Sequence, residues 1–516
     1  MSQFSWWIDG SIVGLYLVVT LIAGVMVRKY VGKVEHFLVA GREVNVYLGI
    51  ASLAATEFGV VTCMYAAQLG YNHGFAGAMP GILQAAAMFL IGVTGFCVKP
   101  LRDACVMTIP ELFEKRYGPR IRWAAGVVIV LGGLLNMGVF LRITGEFLVL
   151  VCGINMQYLE WMMTTILVIA AVYTILGGML SVLVTDFLQF VVMSIGLIVV
   201  TVLILVNVGW DSLTACVSHT YQAGGFNPLA NPKLGWPWLL FNGFVNVAAT
   251  LTWQTTISRL LAAKDAKTGR QIYTRTSFFF VCRFLIPAIW GIAALAVLTP
   301  EAMKILTPDL QPKASLYAMP IFLSTFVPIG MMGLLVAAML AADMSTTSSY
   351  MITWGSVIYN DVLAPFRKTK WSDKRGILWN RMIVALIGIF LLVFGLWYPL
   401  KGDVWDYLAV TGTIYLASVA TMLIACCYWK GANSWGAAGA IIVGAAIPLS
   451  YLVLQLIPTT GAWIKATPIL AEHGLHYSGI AAFVSAGVAM VVGSLLKPNQ
   501  NRQDTAALPA AGGEGT

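Results

Sequence analysis

Charge is scarce in this chain. Asp, Glu, Lys and Arg together make up only 10% of its 516 residues, too little to cover the surface of a water-soluble protein of that length. No polar stretch is long enough to fold alone. The eight Cys show no CxxC or metal-ligand spacing, and the adjacent Cys426 and Cys427 lie in an apolar run where thiols act as small fillers. Only Cys152 and Cys216 fall where they can meet on one outer side, so no disulfide framework is indicated. The sequence also lacks HExxH, a paired metal-ligand cluster and a nucleophile elbow, and an enzyme is not expected.

What is present is hydrophobic sequence: 59% of the residues and a mean hydropathy of +0.82. Runs of about 20 apolar residues, the length that crosses a hydrocarbon core, recur along nearly the whole chain. Thirteen are counted, near 8–27, 45–70, 74–98, 123–150, 159–177, 180–208, 236–260, 274–298, 327–355, 379–398, 404–428, 433–456 and 477–496. The chain reads as an all-α, multi-pass protein of the cell membrane. Basic loops are retained in the cytoplasm. With the N-terminus outside, 24 of the 31 Lys and Arg fall in cytoplasmic loops or helix ends, among them Arg28, Lys29, Arg116, Arg120, Lys264, Arg270, Arg367 and Lys368. Five fall outside: Lys233, Lys304, Lys313, Lys401 and Lys465. The net charge of +9 is then an orientation signal that needs no nucleic-acid partner. The first run has Arg28 and Lys29 after it and no basic residue before it, the reverse of a signal peptide. The segment 498–516 has the polar, Gly- and Pro-containing composition of a disordered cytoplasmic tail.

Polar residues inside such runs are costly enough to be functional candidates. Ser345, Ser348 and Ser349 are spaced i, i+3 and i+4, which stacks three hydroxyls on one helical face. They either bond back to carbonyls one turn earlier or face something polar. Oxygens with few formal charges suit a hard monovalent cation such as sodium. Six ionisable residues lie away from the ends of the runs: Glu57, Arg142, Glu146, Asp186, Arg283 and Asp343. Arg142 and Glu146, at i and i+4, can neutralise each other. Glu57 lies in a run interrupted by Thr56, Gly59 and Thr62, and helices broken at mid-membrane expose carbonyls that bind ions and substrates. The alternative for Glu57 is a pair with a buried Arg. A second candidate break, TLTWQTT at 250–256, comes five runs later, the offset of two inverted five-helix repeats. Asp186 sits eight residues past Gly178, about 12 Å along a helix, and can meet the serine face or pair with an Arg. Asp343 points about 200° around the helix from Ser345 and is expected to pair with an Arg.

The runs HFLVAGRE, YTILGGMLSVLVTDFLQF, SRLLAAKD and AADMSTTSSYMITWGSVIYNDV resemble the sodium/solute symporter family, in the family's order, over about residues 10–430. The resemblance implies a leucine-transporter-like 5+5 inverted repeat with broken first and sixth core helices. The core would occupy 45–428, after a peripheral first helix and loop at 1–44 and before two additional helices at 429–497. It further implies a general sodium site of backbone oxygens at Ala55, Phe58 and Ala342 with the hydroxyls of Ser345 and Thr346. A possible second sodium site would use Asp186 with Ser345, Ser348 and Ser349. Glu57 and Asp343 depart from the family, where a small or hydroxylated residue and an apolar one are common.

The function expected is sodium-coupled symport of a small organic solute by alternating access, with one sodium ion or two. At ~100 mV and a roughly tenfold sodium gradient, one ion supports a solute gradient of several hundredfold and two roughly 10⁵-fold. Glu57 beside Arg142 and Glu146 would suit an amino acid or other amine-bearing zwitterion. Gly59, Thr62, Phe75, Trp253 and Gln254 complete the candidate solute site. The alternatives are proton coupling through Glu57 or Asp186, and sodium-coupled transport of a sugar or carboxylate. A solute, sodium and the bilayer are the expected partners, and the pattern sets no oligomeric state.

Overall fold

In lipid every backbone group must find its partner within its own segment, and the described residues are predominantly helical. The computed structural model describes residues 2–30, 32–299, 303, 313–366, 371–398 and 404–497. The expected tail at 498–516 and the loop residues Lys304, Arg367, Lys368 and Lys401 lie outside these. Among the described residues there is no strand, only one isolated parallel bridge between Val44 and Ala263.

The longer helices that position the site are α1 (Asp9–Met26), α2 (Val46–Glu57), α3 (Val60–His73), α4 (Met79–Thr94), α5 (Pro119–Met137) and α6 (Phe140–Cys152). Next come α7 (Leu159–Asn207), α8 (Gly235–Thr252), α9 (Gln254–Ala262), α10 (Ala266–Val297) and α11 (Met331–Val357). The last four are α12 (Asp373–Trp397), α13 (Val404–Tyr428), α14 (Ser434–Leu456) and α15 (Pro468–Leu496). Ten helical segments among the described residues are long and apolar enough to cross a membrane. The count of thirteen is not established by these ten, one of which, Met156–Asn207, holds two of the expected runs. The runs at 159–177 and 180–208 both lie in α7, as two helices on either side of a kink where Gly178 adopts φ 57° and ψ −148°. Glycine is required there twice over. That φ disfavours any Cβ, and a Cβ would stand 2.6 Å from Phe37 Cδ2. The runs at 45–70 and 236–260 each divide into two helices, α2 with α3 and α8 with α9.

Local chemistry sets several helix starts. Asn45 accepts from Leu48 N at 2.9 Å to begin α2, and Asp265 accepts from Thr268 N at 2.6 Å to begin α10. Each satisfies an N–H that the first turn cannot. The Asp265 carboxyl is held below the usual carboxylate range by those Thr268 hydrogen bonds.

Burial separates the middle of the bundle from its rim. The spans containing α11 and α13 are each 89% buried within the protein, whereas those of α1, α14 and α15 are 22%, 28% and 28% buried. The helix α1 is nonetheless tied to the centre. Its buried Asp9 accepts from the backbone N–H of Gly330 and Gly333, both at 2.7 Å, at the start of α11, where the helix dipole favours a carboxylate. All eight cysteines are free, so Cys152 and Cys216 form no disulfide.

Candidate functional site

The first break falls between α2 and α3. Phe58 caps α2 in extended conformation (φ −114°, ψ 93°) and Gly59 precedes α3 likewise extended (φ −102°, ψ 172°). A helix end leaves its last carbonyls without intrahelical partners, and those of Ala55 and Phe58 belong to this turn. The second break is one residue, Trp253 (φ −63°, ψ 121°), between α8 and α9. The start of α2 and the end of α9 are joined. Val44 N donates to Ala262 O and Lys264 N to Val44 O, both at 3.1 Å.

The helix α11 lies against the first break. Thr346 Oγ1 donates to Thr56 O at 2.9 Å and Ala342 O at 3.0 Å. This approach depends on Gly59, where a Cβ would stand 2.8 Å from Thr346 Oγ1. Gly59 therefore packs on the Thr346 side and does not line the central cavity. Ser348 Oγ bonds back to Ser345 O at 3.2 Å. Among the described residues no group of three His, Cys, Asp or Glu is placed to hold a metal ion, so the oxygens here are hydroxyls and carbonyls beside one aspartate.

That aspartate, Asp186 of α7, does meet the serine face: Ser345 Oγ donates to its Oδ1 at 2.5 Å. Its other oxygen accepts from Ser52 Oγ at 2.5 Å and from Arg259 Nη2 at 3.0 Å, and both side chains of this ion pair are 0% exposed. Arg259 lies in SRLLAAKD, among residues assigned from the sequence to a cytoplasmic helix end. Only five residues separate it from Gln254, about 7.5 Å of helix, and that short distance past the break is the signal for its depth.

Glu57 is paired as well. Its Oε2 stands 3.5 Å from Arg283 Nη1 of α10, and its Oε1 accepts from Thr255 Oγ1 at 2.6 Å and Thr256 Oγ1 at 3.2 Å. Asp343 differs from both. It accepts from Thr144 Oγ1 at 2.5 Å, and among the described residues its Oδ2 has no hydrogen-bond partner and no arginine pairs with it.

A cavity opens between the two breaks, lined by Glu57, Thr62, Trp253 and Arg283 among others. Its polar surface includes Gln84, Asn136 and Asn246, which a search confined to ionisable residues passes over. Amides within apolar runs were the available signal. Gln84 Oε1 accepts from Arg283 at 3.1 Å, and Asn136 Nδ2 donates to Leu408 O at 2.8 Å. Asn246 Nδ2 donates to Asn242 O at 2.8 Å. Trp253 Nε1 donates to Tyr350 OH at 3.1 Å, and its ring stacks on Tyr415 with centroids 5.9 Å apart. Tyr65 and Trp405 add further aromatic surface.

Besides Gly59, three of the expected solute residues lie elsewhere. Arg142 pairs with Glu146 at 2.9 Å in a separate small pocket with Lys313, Tyr317 and Tyr398. Phe75 packs with Trp210 and Phe226 at centroid distances of 5.3 and 5.7 Å. Gln254 is buried and turned back to Thr252 O at 3.4 Å.

This architecture has relatives. The chain is 26% identical to "Sodium/glucose cotransporter 4" of Danio rerio, over 94% of this chain and 78% of that protein. It is also 26% identical to "Sodium/mannose cotransporter SLC5A10" of Bos taurus, over 95% and 87% of the two chains. A Na+-coupled sialic acid symporter solved in its outward-open state shares the fold with a TM-score of 0.77 and 20% identity, over 96% of this chain and 99% of that one. The model of the sodium:solute symporter family matches residues 37–444. With its two broken helices set five spans apart around a central cavity, the chain belongs to the sodium:solute symporter family and is a sodium-coupled secondary transporter.

Proposed function

We propose that this chain imports a small, uncharged, hydroxyl-rich solute together with sodium, by alternating access around the cavity between the two broken helices. The observation that carries this reading is the pairing of Glu57 with Arg283 at 3.5 Å. The expectation of a zwitterion rested on Glu57 beside Arg142 and Glu146, but Glu57 is compensated by Arg283 while Arg142 and Glu146 pair with each other in a separate pocket. The remaining polar groups are amides, phenols and the Thr62 hydroxyl beside aromatic faces, a combination that hydrogen-bonds hydroxyls and packs against the apolar face of a ring. The names of the glucose and mannose cotransporters agree with a sugar-like solute. Sodium would be held by the carbonyls of Ala55, Phe58 and Ala342 with the hydroxyls of Ser345 and Thr346. The transport core would run from 45 to 428, flanked by 1–44 and 429–497, with the N-terminus outside and the C-terminus cytoplasmic.

The test is uptake by the purified chain in proteoliposomes at fixed pH, comparing labelled hexoses and polyols with amino acids. Hexose or polyol uptake driven by an inward sodium gradient is expected. Uptake of an amino acid alone returns the zwitterion reading, and uptake driven by a proton gradient without sodium replaces sodium with proton coupling.

A further inference from the structure

Asp186 and the serine face together satisfy the family's ingredients for a second sodium site, yet the oxygens concerned are already engaged by a cation. The Arg259 guanidinium reaches them from α9, the inner half of the second broken helix. Its Nη2 donates to Thr56 Oγ1 at 2.6 Å, to Ser349 Oγ at 2.5 Å and to Asp186 Oδ2 at 3.0 Å. Its Nε donates to Ser52 Oγ at 3.0 Å and its Nη1 to Ser258 Oγ at 3.1 Å. The other oxygen of Asp186 takes the Ser345 hydroxyl proton. Of the two remaining hydroxyls of the candidate set, Ser349 accepts from the guanidinium and Ser348 is turned back into its own helix.

We propose that Arg259 is the resident cation of the Asp186 site, so that the chain binds one sodium ion, at the break between α2 and α3, and couples one sodium to each solute. This rests on the sodium-coupled reading above and deepens it.

The electrostatics follow from the geometry. One buried carboxylate compensates one monovalent cation. A sodium ion beside Asp186 would share that single charge with a guanidinium held in a site closed to water, where like charges repel with little screening. An arginine cannot step aside by losing its proton, and the oxygens that accept from it are spread over α2, α7, α9 and α11, so it would have to leave as a unit. The residues that would hold a second ion thus serve to neutralise Arg259. The same hydrogen bonds tie the first broken helix to the second on the inner side of the cavity.

The experiment is equilibrium binding of ²²Na⁺ to the purified full chain, counted per polypeptide with no solute present. The wild type is expected to saturate at one ion, and Arg259→Gln, which vacates the carboxylate, at two. The double variant Arg259→Gln/Asp186→Asn removes both charges and is expected to remain at one, which guards against a fold lost through the uncovered carboxylate. Two ions on the wild type would overturn the proposal and leave sodium coupling intact. One ion on Arg259→Gln, or two on the double variant, would overturn the role given to Arg259. No bound ion on the wild type would remove both this inference and the sodium site it rests on.

Discussion

Glu57 and Arg283 face one another at 3.5 Å across a turn of broken helix, the acid at the end of α2 and the base on α10. Arg283 is held in place by Gln84 Oε1 and Tyr65 OH, each at 3.1 Å. Removing the base alone leaves a buried carboxylate uncompensated, which costs about 3–5 kcal/mol where such pairs have been broken. Arg283→Met should therefore lower thermal stability in detergent and abolish transport. Glu57→Gln/Arg283→Met should regain much of the stability, and a double variant no more stable than Arg283→Met would show that the two charges do not depend on each other.

The proposed sodium site makes a separate prediction. Thr346→Ala and Ser345→Ala each remove one hydroxyl oxygen from the set while keeping good helix propensity. Each should raise the sodium concentration for half-maximal uptake by about tenfold, equivalent to about 1.4 kcal/mol. Sodium dependence that is unaltered in both variants would move the ion elsewhere.

Gly59 offers a steric test of the same region. An alanine methyl would stand 2.8 Å from Thr346 Oγ1, so α11 or the break must shift, and overpacking of this kind costs about 1–3 kcal/mol. Gly59→Ala should weaken sodium binding without touching a side chain of the cavity. Normal ²²Na⁺ affinity in that variant would mean that the contact is not needed to assemble the ion site.

Trp253 is the aromatic wall at the second break. Truncating it removes the stacked face and the donor to Tyr350, and Trp253→Ala should raise the solute concentration for half-maximal uptake roughly 10- to 100-fold, about 1.4–2.8 kcal/mol. Sodium binding measured without solute should stay close to wild type. A loss of sodium binding equal to the loss of solute affinity would make Trp253 a support for the fold and not a wall of the solute site.

The long-range consequences of local sequence were legible to different depths. The break at Glu57–Gly59 was visible because Thr and Gly replace Leu and Val within one run, and the break at Trp253 because TLTWQTT carries five hydroxylated or amide residues where an apolar segment is required. The break between the runs at 159–177 and 180–208 was legible and falls at Gly178, but the close approach of Phe37 to that glycine was not, because the two residues are distant in sequence. The buried carboxylates were legible as residues in need of a partner. Their partners were not, because Arg259 and Arg283 lie on helices distant in sequence.

Composition and run length by themselves determined that the protein is a helical bundle in lipid, since backbone groups left without water must pair within each segment. The same reasoning marked each buried charge as a residue requiring compensation. Tertiary structure alone decided what compensates it. Asp186 and Glu57 are each neutralised by an arginine, while Asp343 meets only a threonine hydroxyl. A carboxylate's need for a positive charge is a property of the residue, but whether an arginine or an ion supplies that charge depends on which helices the fold brings within about 3 Å of it.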